Sequence, residues 1–115
     1  MINLSSFYQE LDNDKESIIT ILELFLSEYE DFIIYYTDYF SDKKWHDIYI
    51  SSHSLKGILE SFGEKDLASS LRAIEIKTSK NENITIDDLN HVINKLPSIL
   101  IEIKVEIKKL RQKYD

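Results

Sequence analysis

The chain has 115 residues, 43% of them apolar, with two glycines, one proline and no cysteine, and its formal net charge is −7. This length predicts one domain over residues 1–115, while so few glycines and prolines argue against β-sandwiches and barrels, and the lack of cysteine excludes disulfides and thiolate metal sites. The negative charge argues against a nucleic-acid partner. Because no apolar run approaches the ~18 residues of a membrane span and the N-terminal segment is not a signal peptide, we expect a soluble cytoplasmic protein without a membrane partner.

Apolar residues recur at helical spacing along the chain, and no segment alternates as a strand would. Residues 4–11 predict a short first helix, and Asn13 followed by Glu16 predicts a capping box for a second helix over residues 15–40. The apolar stripe of this second helix is spaced at alternating fours and threes, at Ile18, Leu22, Phe25, Tyr29, Phe32 and Tyr36. Such a stripe indicates the seam of a helix bundle.

The third predicted helix follows a break at residues 41–44, where we expect a helix cap. Its core-facing positions are Trp45, Ile48, Ser52, Leu55, Leu59 and Phe62. Gly63 should end this helix in the left-handed conformation, as glycine commonly does. A fourth helix over residues 65–78 and a polar loop over residues 79–83 follow.

A fifth helix is predicted to begin at the pair Thr85 and Asp88, and Pro97 within it should kink the helix or divide it in two. Its inward positions are Leu89, Ile93, Leu96, Leu100, Ile103, Ile107 and Leu110. The pattern as a whole predicts an all-α fold, an antiparallel four-helix bundle with a short additional N-terminal helix.

A cluster of chemically useful residues lies on the face of the third helix that is turned away from the predicted core. His53 and Lys56 are three positions apart, so their side chains can converge on one bound group. An exposed histidine is mainly neutral at pH 7 and offers a ring nitrogen as a nucleophile, and a lysine ammonium can hold phosphoryl oxygens. Gly57 costs ~1 kcal/mol relative to alanine inside a helix, and it would leave room for another protein to approach the histidine.

These residues resemble the signature of a known family. The run Ser52-His53-Ser54-Leu55-Lys56-Gly57, with Gly63 ten residues after the histidine and Trp45 eight before it, is similar to that of histidine-containing phosphotransfer (HPt) domains. The order of helices and the length extend the resemblance over nearly the whole chain. Ile58 and Glu64 depart from the family, which commonly has small residues there.

The resemblance implies a phosphocarrier rather than an enzyme. His53, through Nε2, would accept a phosphoryl group from the phosphoaspartate of a receiver domain and pass it to another receiver. Lys56 would contact the phosphoryl oxygens and Gly57 would give docking clearance. The partners would be response-regulator receivers, a hybrid histidine kinase, or both. Mg²⁺ would belong to the receiver, and we expect this chain to bind no cofactor or metal and to be a monomer.

The resemblance also implies roles for residues around the histidine. Glu75, 22 positions after His53 and on the next helix, would accept a hydrogen bond from the other ring nitrogen. A surface carboxylate paired with Lys77 or Arg72 is the alternative for Glu75. The expected docking surface beside the histidine comprises Tyr49, Ile50 and Glu60.

Other functions compete with the phosphorelay hypothesis. The chain could be the phosphoacceptor domain of a chemotaxis-type or hybrid histidine kinase, or a bundle that binds receivers without accepting phosphate. A di-iron carboxylate bundle is excluded because no Glu-x-x-His motif occurs. His46 lies seven residues before His53, about 10 Å along a helix, which is too far to share a metal, so His46 and likewise His91 are expected to be surface residues.

Overall fold

Six α-helices form the part of the chain that the structure, a computed structural model, describes, residues 1–112. In chain order these are α1 (Ser5–Glu10), α2 (Lys15–Tyr29), α3 (Phe32–Ser41), α4 (Trp45–Ser61), α5 (Lys65–Ser79) and α6 (Ile86–Gln112). No strand occurs within residues 1–112, so the all-α prediction is confirmed for them. The last three residues of the expected domain 1–115 lie outside this part. None of the six helices is both long enough and apolar enough to cross a bilayer.

The helices pack around one elongated core. The chain measures 50 × 23 × 19 Å, and α4 packs most extensively against α5. The long helix α6 contacts α2, α3 and α5, while α3 also contacts α4. Every residue of the apolar stripe predicted between Ile18 and Tyr36 is buried. In that core the hydroxyls of Tyr36 and Ser52 share a hydrogen bond of 2.7 Å, which joins α3 to α4.

The turn between α4 and α5 depends on Gly63, whose φ of +69° confirms the predicted left-handed conformation. The N–H of the next residue, Glu64, donates to the carbonyl of Leu59 at 2.9 Å, which satisfies one of the last carbonyls of α4. The Glu64 carboxylate accepts from the backbone N–H of Leu67 at 2.6 Å and from the amino group of Met1 at 3.0 Å. Glu64 is therefore a buried helix cap, a role that a small residue could not fill.

The segment predicted as one helix over residues 15–40 is two helices, and that prediction is wrong. Glu30 and Asp31 separate α2 from α3, and Asp31 has a φ of −100° and a ψ of 11°, outside the α-helical range. The apolar stripe keeps its spacing across the break, and the rings of Tyr29 and Phe32 remain 5.7 Å apart. Spacing alone therefore could not reveal the break, although aspartate is a poor residue for a helix interior.

Two of the predicted helix starts are also corrected. The N-cap of α2 is Asp14, whose carboxylate accepts from the N–H of Ser17 at 3.2 Å, whereas Asn13 has a φ of 55° and belongs to the preceding turn. No side chain caps α4, because its N-cap residue is Lys44, whose ammonium cannot accept a hydrogen bond from a backbone N–H. At α6 the predicted start at Thr85 and Asp88 is confirmed, and the two residues cap each other: the N–H of Thr85 donates to Asp88 at 2.9 Å and the N–H of Asp88 donates to Thr85 at 3.2 Å.

The last helix runs without interruption from Ile86 to Gln112, so of the two predicted effects of Pro97, a kink or a division, the division is wrong. Pro97 is exposed, and its missing N–H removes one hydrogen bond from a helix that has many others and a buried face. The buried face is centred on Val92 and Ile99, while the expected Ile93 and Leu100, and also Leu110, are only half-buried. Val92 and Ile93 are adjacent apolar residues, and so are Ile99 and Leu100. The sequence therefore could not show which member of each pair lies deeper in the core.

We expect Gly63→Ala to lower the free energy of unfolding by about 2 kcal/mol or more, since an alanine in the left-handed region is strained and its Cβ would collide with the backbone oxygen of Asn3. Urea unfolding monitored by circular dichroism measures this. Gly57→Ala is the matched control, because a Cβ at Gly57 meets nothing within 4 Å and should raise the stability by up to ~1 kcal/mol. Equal effects of the two substitutions would contradict this account of the turn.

Candidate functional site

His53 lies on the exposed face of α4, with 63% of its side chain accessible to solvent. Its Nδ1 is hydrogen-bonded to Oε1 of Glu75 on α5. No group within residues 1–112 hydrogen-bonds its Nε2. One nitrogen of the ring is therefore held by the protein, and the other is open to a partner.

Glu75 joins His53 to Lys56. The Lys56 ammonium donates to Oε2 of Glu75 at 2.7 Å and to Oε1 at 3.2 Å, so one carboxylate receives both side chains from α4. The Glu75 side chain is only 12% exposed and that of Lys56 17%. The alternative pairing of Glu75 with Lys77 or Arg72 is wrong: Lys77 binds Asp88 at 2.8 Å, and Arg72 forms no ion pair within the described residues.

The carboxylate of Glu75 determines which tautomer the neutral imidazole of His53 adopts. Burial by itself would raise the pKa of the Glu75 carboxyl, but the hydrogen bonds from Lys56 and His53 outweigh burial and hold the pKa below its ordinary value. Glu75 is therefore a carboxylate at neutral pH, which can only accept hydrogen bonds. Nδ1 of His53 must then carry the proton of the neutral ring, and the lone pair is on Nε2.

Sequence reasoning missed the hydrogen bonds between Lys56 and Glu75. No local pattern signals them, because Lys56 lies seven residues before Gly63 and Glu75 twelve after it, so the contact depends on how the two helices pack across the turn. In this arrangement the Lys56 ammonium is bound to the carboxylate. For Lys56 to contact a phosphoryl group, its ammonium must either leave Glu75 or bind the carboxylate and the phosphoryl group at the same time.

Gly57 lies one turn after His53, and its surroundings are open. A Cβ built at this position would meet no atom within 4 Å, so the packing of this chain does not require a glycine there. Two other residues of the expected docking surface are exposed, Ile50 at 49% and Glu60. Gly57, Ile50 and Glu60 thus lie on the same accessible face of α4 as the histidine.

Tyr49 differs from its neighbours on this face because it is half-buried and its ring stacks on the imidazole of His53. The two ring centroids are 6.3 Å apart and the planes are 16° from parallel. On its other side Tyr49 stacks on His46, with centroids 6.5 Å apart. The spacing of three and four residues that allows this ladder of rings was readable in the sequence, but we had not predicted a stack.

No cluster in the described part of the chain suits a metal ion. Residues 1–112 contain no group of three or more histidine, aspartate or glutamate side chains in a ligating arrangement. His91 is exposed on α6, and His46 is exposed at the end of the ring ladder. The trio of His53, Lys56 and Glu75 is the arrangement on which a functional argument rests.

Comparison with known proteins gives no relative from which a function could be transferred: no family model, no curated protein and no solved structure matches the chain.

We expect Lys56→Met to raise the pKa of Glu75, because the apolar stem is kept while the cation that offsets the burial of the carboxylate is lost. A carbon-13 NMR titration of the Glu75 carboxyl measures this. In the wild type, the stabilisation that comes from the lowered pKa is complete above the ordinary value of 4.5 and is lost as the pH falls through the lowered pKa. The variant should lose less stability over that acid range.

Lys77→Met is the matched control for this titration. It removes the ammonium that, together with hydrogen bonds from Thr85, lowers the pKa of Asp88 against the effect of burial. Lys77→Met should therefore raise the pKa of Asp88 and leave Glu75 unchanged. An unchanged Glu75 titration in Lys56→Met would show that the ion pair does not form in solution.

Proposed function

We propose that this chain is a phosphocarrier of the HPt class, which accepts a phosphoryl group on Nε2 of His53 from a receiver-domain phosphoaspartate and passes it to another receiver. The observation that carries the proposal is the exposed imidazole whose Nδ1 is held by the largely buried carboxylate of Glu75 while Nε2 has no partner in the described chain. An ordinary surface histidine has no need of a largely buried anion behind it. The proposal includes the cytoplasmic, monomeric state that we expect from the sequence.

The packing of the helices supports an antiparallel four-helix bundle as the scaffold. We take α2 and α3 together as one bent member, with α4, α5 and α6 as the other three and α1 as the additional N-terminal helix. The contacts close into a ring, since α3 meets α4, α4 meets α5, α5 meets α6, and α6 meets both α2 and α3. In such a bundle a histidine on the outer face of one helix is accessible to a partner protein without any opening of the core.

The transfer itself is a displacement at phosphorus. The lone pair of Nε2 attacks, the Nε2–P bond forms, and the P–O bond to the receiver aspartate breaks with its electron pair leaving on the aspartate carboxylate. Because Nδ1 keeps its proton, the imidazole ring becomes positively charged as the bond forms. The Glu75 carboxylate on Nδ1 offsets that charge, and it is already in place before the reaction starts.

Lys56 supplies a positive charge for the phosphoryl oxygens, whereas Glu75 supplies a negative charge for the imidazole. A phosphoryl group on Nε2 brings negative oxygens close to an ammonium that is otherwise shared with Glu75. Charge-assisted hydrogen bonds to phosphoryl oxygens are strong enough to compete with the carboxylate for the ammonium. We therefore assign Lys56 to the phosphoryl oxygens, while Mg²⁺ and the remaining catalytic groups belong to the receiver, so that this chain is a carrier and not an enzyme.

We expect phosphorylated receiver domains to transfer label to the wild-type chain and not to His53→Gln, which keeps an amide near Glu75 but has no nucleophilic nitrogen. The measurement is acid-labile, base-stable phosphate on this chain after incubation with each receiver. His46→Gln, two turns away on the same helix, is the matched control and should be labelled as the wild type is.

The outcomes of this experiment separate the competing functions. Label on His53→Gln would contradict the assignment of His53. Binding of a receiver by the folded chain without label would favour a docking bundle that accepts no phosphate. Label that comes from an ATP-charged kinase domain but from no receiver would favour the phosphoacceptor domain of a histidine kinase.

Gly57→Gln should leave the fold intact and obstruct the approach of a receiver, because its side chain would extend from an exposed position one turn after His53. We expect the receiver concentration that gives half-maximal transfer to rise roughly tenfold, which corresponds to ~1.4 kcal/mol of binding free energy. Ser69→Gln, at an exposed position on α5, is the control and should have no effect. Unchanged transfer by a natively helical Gly57→Gln would show that Gly57 does not provide clearance.

A further inference from the structure

The imidazole of His53 is exposed, yet it has two restraints of different kinds. Glu75 holds one edge of the ring through Nδ1, and Tyr49 lies against the face of the ring. The separation of the two centroids, 6.3 Å, lies within the range of aromatic pairs that attract each other, and the nearly parallel planes fit an offset stack. Tyr49 precedes His53 by four residues, which is the spacing that brings two side chains together on a helix surface.

A hydrogen bond to one nitrogen is not sufficient to fix the attacking atom. The second side-chain torsion of histidine has broad energy wells, so an exposed ring can rock about its bond to Glu75 and move Nε2 with it. A second contact on the ring face removes that freedom. Tyr49 is suited to the task because it is half-buried, and it lines one surface pocket with Trp45 at the start of α4 and Thr78 at the end of α5.

We propose that Tyr49 is a positioning residue, which stacks on the imidazole of His53 and holds Nε2 in the direction of phosphoryl transfer. The inference rests on the proposed function and deepens it, because it moves Tyr49 from the docking surface to the alignment of the nucleophile. It follows that Tyr49 acts on the rate within the bound complex and not on the affinity of the complex. Small errors in the position of a reacting atom are costly, so the ring contact has a measurable effect.

The two roles predict different kinetics. In single-turnover transfer from a phosphorylated receiver, Tyr49→Leu should lower the rate constant at saturating receiver about tenfold and leave the half-saturating concentration unchanged. Tyr49→Phe keeps the ring and should restore the wild-type rate. If instead Tyr49→Leu raises the half-saturating concentration and leaves the saturating rate unchanged, Tyr49 is a docking contact and the proposal is overturned.

A second measurement tests the inference without any partner. NMR of the unphosphorylated chain reports the tautomer of His53 and the couplings that define its side-chain torsions. The wild type and Tyr49→Phe should show a single rotamer, and Tyr49→Leu should show averaged couplings with the overall helicity unchanged. His46→Leu removes the far ring of the ladder and is the matched control, in which His53 should behave as in the wild type.

The two proposals can fail separately. If no receiver or kinase domain labels His53, the phosphocarrier function fails, while the NMR couplings still decide whether Tyr49 orders the ring. A wild-type pattern of couplings in Tyr49→Leu would overturn the positioning role even if transfer to His53 were demonstrated.

Discussion

The left-handed turn at Gly63 determines which residue of α5 meets His53. The histidine lies ten residues before this turn and Glu75 twelve after it, so in two straight antiparallel helices both reach a similar height above the turn, about 15–18 Å. The turn is held by its own contacts: Glu64 is buried and caps α5 at Leu67. A change of register by one residue would rotate Glu75 by about 100° and remove the carboxylate from the imidazole. The position of Glu75 relative to His53 therefore depends on the backbone conformation of a turn that lies outside the site.

The same register explains how a nearly buried carboxylate is stable at this position. A buried anion is costly unless it is paired and hydrogen-bonded, and α4 supplies both His53 and Lys56 to Glu75. The pKa of the Glu75 carboxyl is therefore lowered, although burial acts to raise it. That anion sets the tautomer of His53 and also withdraws the ammonium of Lys56 from solvent. The stability of the buried pair and the tautomer of His53 are thus two consequences of the contacts that Glu75 makes.

The elements that the sequence predicted well are those that repeat a pattern over several turns. The stripe from Ile18 to Tyr36 is buried as expected, and the reciprocal cap of Thr85 and Asp88 starts α6 as its residue types indicate. The break at Glu30 and Asp31 escaped prediction because it inserts no residue into the stripe. The contact of Lys56 with Glu75 escaped because it depends on the register of two helices, which no local pattern encodes. Whether His53 carries phosphate stays a prediction, which rests on the resemblance and on the geometry together.

The fold requires one of the two glycines of the chain and does not require the other. Gly63 is required by the fold, since its φ is positive and a side chain would meet the backbone of Asn3. Gly57 is regular helix with open space around it, so within this chain it only reduces helix stability, by ~1 kcal/mol relative to alanine. Since no contact within the chain requires Gly57, the helix stability lost there is most simply explained by a requirement from outside the molecule. Under the proposed function that requirement would be the approach of a partner to the exposed face of α4, where Gly57 lies one turn after His53.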